Sequence, residues 1–272
     1  MARIHPTAII HDGATIADDV EIGPYCVVEP DVEIGAACRL REHVIIRRYT
    51  TIGQRNSFDA FCVIGGEPQD LKFKPETVSY VRIGDDNTFR EGVTISRATG
   101  DGKATVVGSR NYWMALAHIG HNVTVEDDII LTNGVAIGGH VTIGRRVVIS
   151  AHVGVHQFCW IGEGAMLQGN GAITTHVPPF TIIAGLNRLV GLNTVGLHRN
   201  PEIAQLDREQ IKEAFKLVYR SGLTRKAALA EMDARTDWGS PAKKFRDFIR
   251  RALEAQPPYD RGLCQLRARA GV

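Results

Sequence analysis

The chain has 272 residues, enough for one long domain and a smaller one, and its 32 Lys and Arg against 30 Asp and Glu leave a net charge of +2. This balance gives no reason to expect a nucleic-acid partner, although the Lys- and Arg-rich C-terminal third suits an acidic protein partner. Five cysteines without CxxC spacing suit buried side chains in a reducing cytoplasm, and the sequence predicts neither a transmembrane segment nor a signal peptide.

A six-residue repeat begins at Ile4 and organises most of the chain. The first hexads read IHPTAI, IHDGAT, IADDVE and IGPYCV; the period resumes at Ile83 and at Val107, and then runs to Pro178. The first and fifth residues of such a hexad point into a narrow prism, and three hexads make one coil of 18 residues that stacks on the next. A β-sandwich would instead show turn signals every 8–12 residues. We therefore predict an all-β protein with a parallel β-helix.

Two segments interrupt the repeat. The first is GGEPQDLKFKPETVSYVR, residues 65–82, and the second covers residues 97–106. Because a stacked coil tolerates an insertion only as an excursion from a corner, both are predicted to project as loops. Long loops on a rigid scaffold often carry function, so we expect both to help form a site.

Helical periodicity replaces the repeat in the C-terminal part. The sequence predicts a β-helix domain over residues 1–194 and a helical domain over residues 195–272. REQIKEAFKLVYRSG, TRKAALAEM and SPAKKFRDFIRRALEAQ are each predicted to form a helix. Thr224 and Ser240 are the expected N-caps of the last two helices, and Pro241 suits a first helical position.

Four of the ten histidines have spacings close to whole coils: His118, His121, His140 and His156. His140 follows His121 by 19 residues and His156 follows it by 35, near one and two coils of 18. Stacked strands lie about 4.8 Å apart, so these imidazoles are expected to line one groove. A neutral imidazole can take a proton from a hydroxyl or an amine near neutral pH. A zinc site is disfavoured because this spacing places the histidines in a linear ladder and not in a tetrahedral cluster. The alternative to a functional groove is that the coil corners simply carry polar residues, histidine among them.

The chemistry expected of this groove is direct transfer with a single general base. No Ser–His–Asp arrangement is recognisable, and Cys62 and Cys159 have the spacing of core residues. A covalent acyl-enzyme is therefore disfavoured. Backbone N–H groups are expected to stabilise the oxyanion.

Six segments carry a resemblance to a known family. IHPTAII, QDLKF, AHIGHN, GGHVTIG, GVHQF and HVPPF occur in the same order and spacing as in the UDP-N-acetylglucosamine O-acyltransferases, which perform the first step of lipid A synthesis. The resemblance covers nearly the whole chain and implies a left-handed β-helix and a cytoplasmic homotrimer with sites between subunits. It also implies no metal and no cofactor. The acyl donor would be a 3-hydroxyacyl-acyl carrier protein and the acceptor UDP-N-acetylglucosamine.

The resemblance also implies roles for individual residues. His121 resembles the general base, and the backbone N–H of Gly139 resembles the oxyanion donor. His118 resembles a residue near the nucleotide sugar. The other implied substrate-binding residues are the loop residues Gln69, Asp70 and Lys72 for the sugar and phosphates, His140, His156 and Gln157 for the acyl donor or sugar phosphate, and Asn193 and Arg199 for the nucleotide end. Gly169 resembles the residue that sets acyl-chain length: without a side chain it would admit a chain of about fourteen carbons, although a tight corner also explains a glycine there.

This sequence departs from the family pattern near the base. Asn122 follows His121 where Asp is common, and an amide can orient an imidazole without supplying a charge. Ser96 stands where His is frequent. Of the two basic residues usual near Leu197–Asn200, only Arg199 is clearly basic.

Other functions remain open on the sequence. An N-acyltransferase acting on a 3-amino UDP-sugar would share the fold, base and donor. The later N-acyltransferase of lipid A synthesis usually has an additional N-terminal domain, whereas the hexads here begin at Ile4. A non-catalytic β-helix would show Thr ladders on a flat face and no such loops, and a carbonic anhydrase on this fold would require zinc.

Overall fold

A computed structural model describes residues 2–266 of the protein. Its strands, in chain order, are β1 Arg3–Ile4, β2 Ile9–Ile10, β3 Thr15–Ile16, β4 Glu21–Ile22, β5 Val27–Val28, β6 Val32–Ile34, β7 Arg39–Leu40, β8 Ile45–Ile46, β9 Thr50–Ile52, β10 Ser57–Phe58, β11 Val63–Gly66, β12 Tyr80–Ile83, β13 Thr88–Phe89, β14 Thr94–Ser96, β15 Ala104–Val107, β16 Tyr112–Trp113, β17 His118–Ile119, β18 Thr124–Val125, β19 Ile130–Leu131, β20 Ala136–Ile137, β21 Thr142–Ile143, β22 Val148–Ile149, β23 Gly154–Val155, β24 Trp160–Ile161, β25 Met166–Leu167, β26 Ala172–Ile173, β27 Thr181–Ala184, β28 Arg188–Leu192 and β29 Gln265–Leu266. The helices are α1 Thr194–Arg199, α2 Gln205–Arg220, α3 Arg225–Asp233 and α4 Ser240–Glu254.

Three parallel sheets form the faces of a triangular prism. Face A begins with β1, β4 and β7 and runs to β27; face B begins with β2 and β5 and runs to β26; face C runs from β3 to β24. Each strand pairs with the strand one coil later, as in the pairing of Ile4 with Ile22 and of Ile22 with Leu40. This arrangement confirms the parallel β-helix predicted from the hexads.

The core is a set of columns, because every coil places its inward side chains over those of the coil before. On face A a continuous buried column consists of Ile22, Leu40, Phe58, Phe89, Trp113, Leu131, Ile149 and Leu167. Branched and aromatic side chains suit these positions because they fill a narrow prism and pack well on strands. Coils turn at residues with positive φ, for example Asn122 at +60° and Asn170 at +56°.

A ladder of buried asparagines carries the register past both interruptions. Asn56 Oδ1 accepts hydrogen bonds from the backbone N–H and the side-chain amide of Asn87, each at 2.9 Å. Asn87 Oδ1 in turn accepts from the backbone N–H of Asn111 at 2.9 Å, and Asn111 Oδ1 accepts from Ile129 N–H at 2.8 Å. The coils before and after each loop are thereby joined by paired polar groups inside the prism.

The two loops are shorter than the sequence suggested. Strand β11 runs to Gly66, and strand pairing includes residues 80–82 after the first loop and 104–106 after the second. The loops therefore span residues 67–79 and 97–103. Arg97, almost fully buried, ties them together: its guanidinium donates to the carbonyl oxygens of Thr77 at 2.6 Å and Pro75 at 3.2 Å. It also lies 4.9 Å from the Phe73 ring centroid.

The C-terminal part contains four helices and then returns to the β-helix. Thr224 caps α3 as predicted, accepting a hydrogen bond from Ala227 N–H at 3.2 Å. The predicted cap Ser240 is wrong by one position: the N-cap of α4 is Gly239, which is extended and donates its N–H to the Gln210 side chain. Helix α1 begins at Thr194, and β29 pairs with β28, so the last described residues belong to the sheet. Within residues 2–266, no helix has the length and apolar character needed to cross a membrane.

His176 fastens the C-terminal segment to the last coil. It is fully buried; Nδ1 accepts from Trp160 N–H at 3.0 Å, and Nε2 donates to the carbonyl oxygen of Tyr259 at 2.7 Å. Both nitrogens are used by the neutral ring, and burial lowers the pKa of His176 to about 4.

This pKa predicts acid lability. The unfolded imidazole binds a proton below its ordinary pKa of 6.5 while the folded one stays neutral to about 4. Stability is therefore intact above pH 6.5 and falls as the pH drops toward 4, by roughly 3 kcal/mol. Urea unfolding across this range measures the loss. His176→Gln should weaken the pH dependence of the free energy of unfolding, whereas the exposed control His5→Gln should leave it unchanged. An equal pH dependence in the two variants would show that another group is responsible.

Candidate active site

A cavity of about 470 Å³ opens on face B. Its floor is formed by the outward positions of β17, β20, β23 and β26, and Gln69 reaches it from the first loop. The predicted residues that line it are Gln69, His118, His121, Gly139, His156 and Gln157, and Ser96 and Thr174 line it as well. The coil register thus brings together six of the residues that the sequence singled out.

His118 sits between two neighbours on face B. It pairs with Thr94 on one side and Ala136 on the other, and its Nδ1 lies 2.8 Å from Thr94 Oγ1. Burial lowers its pKa, and the nearby His121 lowers it further. Near neutral pH His118 is therefore an uncharged hydrogen-bonding group.

His121 is oriented by Asn122 and by the second loop. Its Nδ1 lies 2.8 Å from Asn122 Oδ1, which has no proton to give, so Nδ1 is the donor and Nε2 is left free. Asn122 Oδ1 also accepts from the backbone N–H and the hydroxyl of Thr99, at 2.9 and 2.8 Å. The loop over residues 97–103 thereby fixes which nitrogen of the imidazole is available.

The imidazole of His121 lies over the backbone of Gly139, one coil later. A Cβ at Gly139 would fall 2.6 Å from His121 Cε1 and 2.7 Å from Nε2, so a larger residue would displace the ring. Among residues 2–266, no backbone or side-chain group accepts the N–H of Gly139. In this arrangement the N–H can donate to an oxyanion, and the neighbouring imidazole nitrogen can accept a proton.

His140 does not line the cavity, contrary to the expectation of a shared groove. The spacing of 19 residues moves it one position past the column of His121, onto the corner, where its φ is +60°. There its ring stacks on Phe158 at 4.7 Å and meets the edge of His121 at 5.2 Å. Burial, followed by the charge of His121, lowers its pKa, and Asp70 opposes the change. His140 therefore lies next to His121 at the border of the site.

The first loop contributes Gln69 directly, while Asp70 and Lys72 lie outside the cavity lining. Asp70 Oδ1 accepts from Lys72 N–H at 2.9 Å, which shapes the loop, and Lys72 is exposed. Both belong to the loop that overhangs the site, but neither meets the His121 cavity within one chain.

Asn193 and Arg199 lie on another face. They line a cavity of about 590 Å³ on face A, and Asn193 also caps α1 by accepting from Gly196 N–H at 3.0 Å. Gly169 is an exposed corner residue outside both cavity linings, and its neighbour Gln168 faces the cavity on face A. These three predicted residues are therefore not brought to His121 by the fold of one chain.

Two residues at the site were missed by the sequence analysis. Thr99 holds Asn122, and Arg261 approaches His156 from the C-terminal segment, with its Nη2 3.0 Å from His156 Nδ1. Neither belongs to a hexad, so no periodicity points to it. Within residues 2–266, no group of three or more His, Cys, Asp or Glu side chains converges as metal ligands do.

Comparison with known proteins identifies the family. Residues 176–264 match the family described as Udp N-acetylglucosamine O-acyltransferase, domain 2, and residues 13–48 match bacterial transferase hexapeptide (six repeats). An acyl-[acyl-carrier-protein]–UDP-N-acetylglucosamine O-acyltransferase of Gloeothece citriformis is 42% identical over 249 residues, 90% of this chain and 88% of that protein. The chain belongs to the UDP-N-acetylglucosamine O-acyltransferase family.

Other members agree with this assignment. The acyltransferase of the same name from Stenotrophomonas maltophilia strain R551-3 is 41% identical over 254 residues, 92% of this chain and 95% of that one. The crystal structure of UDP-N-acetylglucosamine O-acyltransferase from Moraxella catarrhalis superposes with a TM-score of 0.90 at 40% identity, covering 96% of this chain and 99% of that one. This acyltransferase therefore has the left-handed parallel β-helix of its family, and the expected fold and family are confirmed.

The contact between His121 and Asn122 gives the acyltransferase a testable feature. Asn122→Ala removes the acceptor that holds Nδ1–H, so kcat should fall by roughly 10- to 100-fold while KM changes little. Asn122→Asp keeps an acceptor oxygen and is the matched control; it should retain most of the turnover. Steady-state kinetics of both variants test this expectation. An equal loss of kcat in the two variants would show that the Asn122 oxygen does not orient the imidazole of His121.

Proposed function

We propose that this protein transfers a 3-hydroxyacyl chain from acyl carrier protein to the 3-hydroxyl of UDP-N-acetylglucosamine, the first step of lipid A synthesis, with His121 as the single general base. The observation that carries the proposal is a pair of groups in one cavity, Nε2 of His121 and the N–H of Gly139, neither of which has a hydrogen-bond partner among residues 2–266. The names of the relatives, which give an acyl-acyl carrier protein as donor and UDP-N-acetylglucosamine as acceptor of an O-acyl transfer, support this choice of substrates.

The proposed mechanism needs only these two groups. Nε2 of His121 takes the proton of the sugar hydroxyl as its oxygen attacks the thioester carbonyl carbon. The Gly139 N–H stabilises the resulting oxyanion. When the tetrahedral intermediate collapses, the C–S bond breaks and the imidazolium returns its proton to the departing thiolate of the carrier. No bond to the enzyme forms.

An acyl-transfer assay of the wild type and of the His121→Ala variant tests this function. His121→Ala should lower the rate by about 10²–10⁴ or more, because the acceptor loses its base, whereas the exposed His11→Ala should leave it unchanged. Product formation is followed with UDP-N-acetylglucosamine and with its 3-amino analogue. Transfer only to the amino analogue would assign N-acylation instead. Near-normal turnover in a folded His121→Ala variant would remove His121 as the base.

We further propose that the active form is a homotrimer. Face B and its edge expose apolar side chains, including Ile9, Tyr25 and Phe61, and face A exposes Tyr112 and Ile130. Face C instead carries Thr at four of its eight outward positions, Glu33 and Arg82 at two, and Val106 and the buried Trp160 at the others. In a cyclic assembly face A of one copy meets face B of the next. Such packing would bring Asn193 and Arg199 of a neighbour toward the His121 cavity.

Sedimentation tests the trimer. The wild type should sediment at three times the 29.8 kDa chain mass. Ile130→Arg places a charge in the proposed interface and should give an inactive monomer, because an unpaired charge there would be desolvated. Thr142→Arg is the matched outward position on face C and should leave the trimer intact. A fully active wild-type monomer would rule out a site shared between subunits.

We also propose that Gly169 keeps the acyl groove open for a long chain. The corner does not demand a glycine, since the positive φ belongs to Asn170 and the same coil position holds Ala115, Asn133 and Ala151 in earlier coils. A Cβ at Gly169 would lie 3.2 Å from the carbonyl oxygen of Ala151. This close contact also favours a small residue at the corner, so the proposed role rests on the resemblance of Gly169 to the residue that sets acyl-chain length in the family.

A chain-length series tests this ruler. The wild type should prefer acyl chains of about fourteen carbons over about ten, because four more buried methylenes add roughly 3 kcal/mol of binding. Gly169→Met should shift the preference to shorter chains, and Asn133→Met, at the same corner two coils earlier, should not. An unchanged preference in Gly169→Met, or a wild type that favours ten carbons, would eliminate the ruler.

A further inference from the structure

The segment after α4 crosses the last coil and reaches the active-site cavity. Arg261 Nη2 lies 3.0 Å from Nδ1 of His156, and Arg261 Nε donates to the carbonyl oxygen of Thr174 at 3.1 Å. Both His156 and Thr174 line the cavity. A residue 105 positions away in the chain therefore contacts a side chain of the site.

The chemistry of this contact determines the tautomer of His156. A guanidinium carries only N–H donors, so Nδ1 must accept with its lone pair, and the ring proton is on Nε2. The carbonyl oxygen of Gln157 also lies near Nδ1, at 3.1 Å, and would pair only with a protonated Nδ1. The two pairings exclude each other, and the charge-assisted bond from Arg261 is the stronger.

Hydrogen bonds hold the backbone on both sides of Arg261, so its contact with His156 is a fixed part of the structure. Tyr259 and Gly262 give their carbonyl oxygens to the ring and to the backbone N–H of His176, both within 2.8 Å. The N–H of Cys264 returns a bond to the carbonyl oxygen of His176 at 3.0 Å. The Tyr259 ring packs against Phe158 and Trp160. Arg261 is thus fixed on both sides.

We propose that Arg261 is a positioning residue that holds His156 as the Nε2–H tautomer, so that His156 presents a hydrogen-bond donor to an oxygen of the bound substrates. The functional half of this statement rests on the proposed function, since the oxygen belongs to the acyl donor or to the sugar nucleotide. The tautomer itself is a property of the protein alone. The C-terminal segment then contributes to the site through an imidazole rather than by touching substrate.

Nitrogen NMR tests the tautomer without any substrate. In protein labelled with ¹⁵N-histidine at neutral pH, His156 should show an unprotonated Nδ1 and a protonated Nε2, with the resonance assigned by its loss in His156→Gln. Arg261→Met keeps the length of the side chain and removes its donors, and it should shift the ring toward the Nδ1–H form that pairs with Gln157. A wild-type His156 already protonated at Nδ1 would overturn the proposal.

A double-mutant cycle tests the functional half. Glutamine places an amide donor near the position of Nε2 without any tautomer to select, and asparagine places one near Nδ1. His156→Gln should therefore retain more kcat/KM than His156→Asn. Arg261→Met should cost about tenfold in the wild type and under about twofold in His156→Gln, because the coupled residues are not additive. Arg250→Met, which removes a half-buried arginine of α4 that does not line the cavity, is the control.

The outcomes separate the two proposals. Equal losses from Arg261→Met in both backgrounds would make Arg261 merely structural and overturn its positioning role, as would activity insensitive to both residues. If the protein fails to acylate UDP-N-acetylglucosamine at all while NMR still shows the Arg261-dependent Nε2–H tautomer, the proposed function fails and the assignment of the tautomer stands.

Discussion

The stacking register of the coils is the constraint on which the rest of this structure depends. Each strand is only two to five residues long, so no strand is stable by itself, and stability comes from pairing with the coils above and below. The ladder of Asn56, Asn87 and Asn111 maintains that pairing where the two loops leave the prism. Because side chains alternate between inside and outside, a slip of one residue would expose an entire inward column.

The active site is a direct product of this register. His121, Gly139 and Gln157 are separated by whole coils and form one outward column. The imidazole of His121 therefore lies against the backbone of the next coil at Gly139 without any dedicated loop. The two loops add side chains to the site that the coils do not provide. Thr99 holds Asn122, which selects the free nitrogen of the imidazole, and Gln69 reaches over the cavity. The rigid coils position His121 and Gly139, and the loop over residues 97–103 orients the His121 imidazole through Asn122.

The sequence predicted the fold because a six-residue period has a single structural explanation over so many repeats. Near-whole-coil spacing also predicted that His118, His121 and His156 share a groove, and all three line the cavity. Gly139 and Gln157 were expected at the site from the family resemblance and not from spacing. The sequence misplaced His140, since one extra residue moves a side chain from the face to the corner. It did not find Arg261, whose place is set by the packing of a non-repeating segment. Asn193 and Arg199 lie on a different face, which spacing alone does not reveal.

In the proposed mechanism the acyl group passes directly from the carrier thioester to the sugar hydroxyl, with one imidazole as the general base and no covalent enzyme intermediate. Burial raises the pKa of the Cys159 thiol to about 11 and that of the Cys62 thiol to about 12, and neither cysteine lines the cavity, whose hydroxyl groups are those of Ser96 and Thr174. Intact-protein mass spectrometry after rapid mixing with 3-hydroxyacyl-acyl carrier protein tests this claim most directly. The account predicts an unchanged protein mass until UDP-N-acetylglucosamine is added, followed by acylated sugar in a single turnover. A stoichiometric gain of one acyl group on the protein before the sugar is added would contradict it.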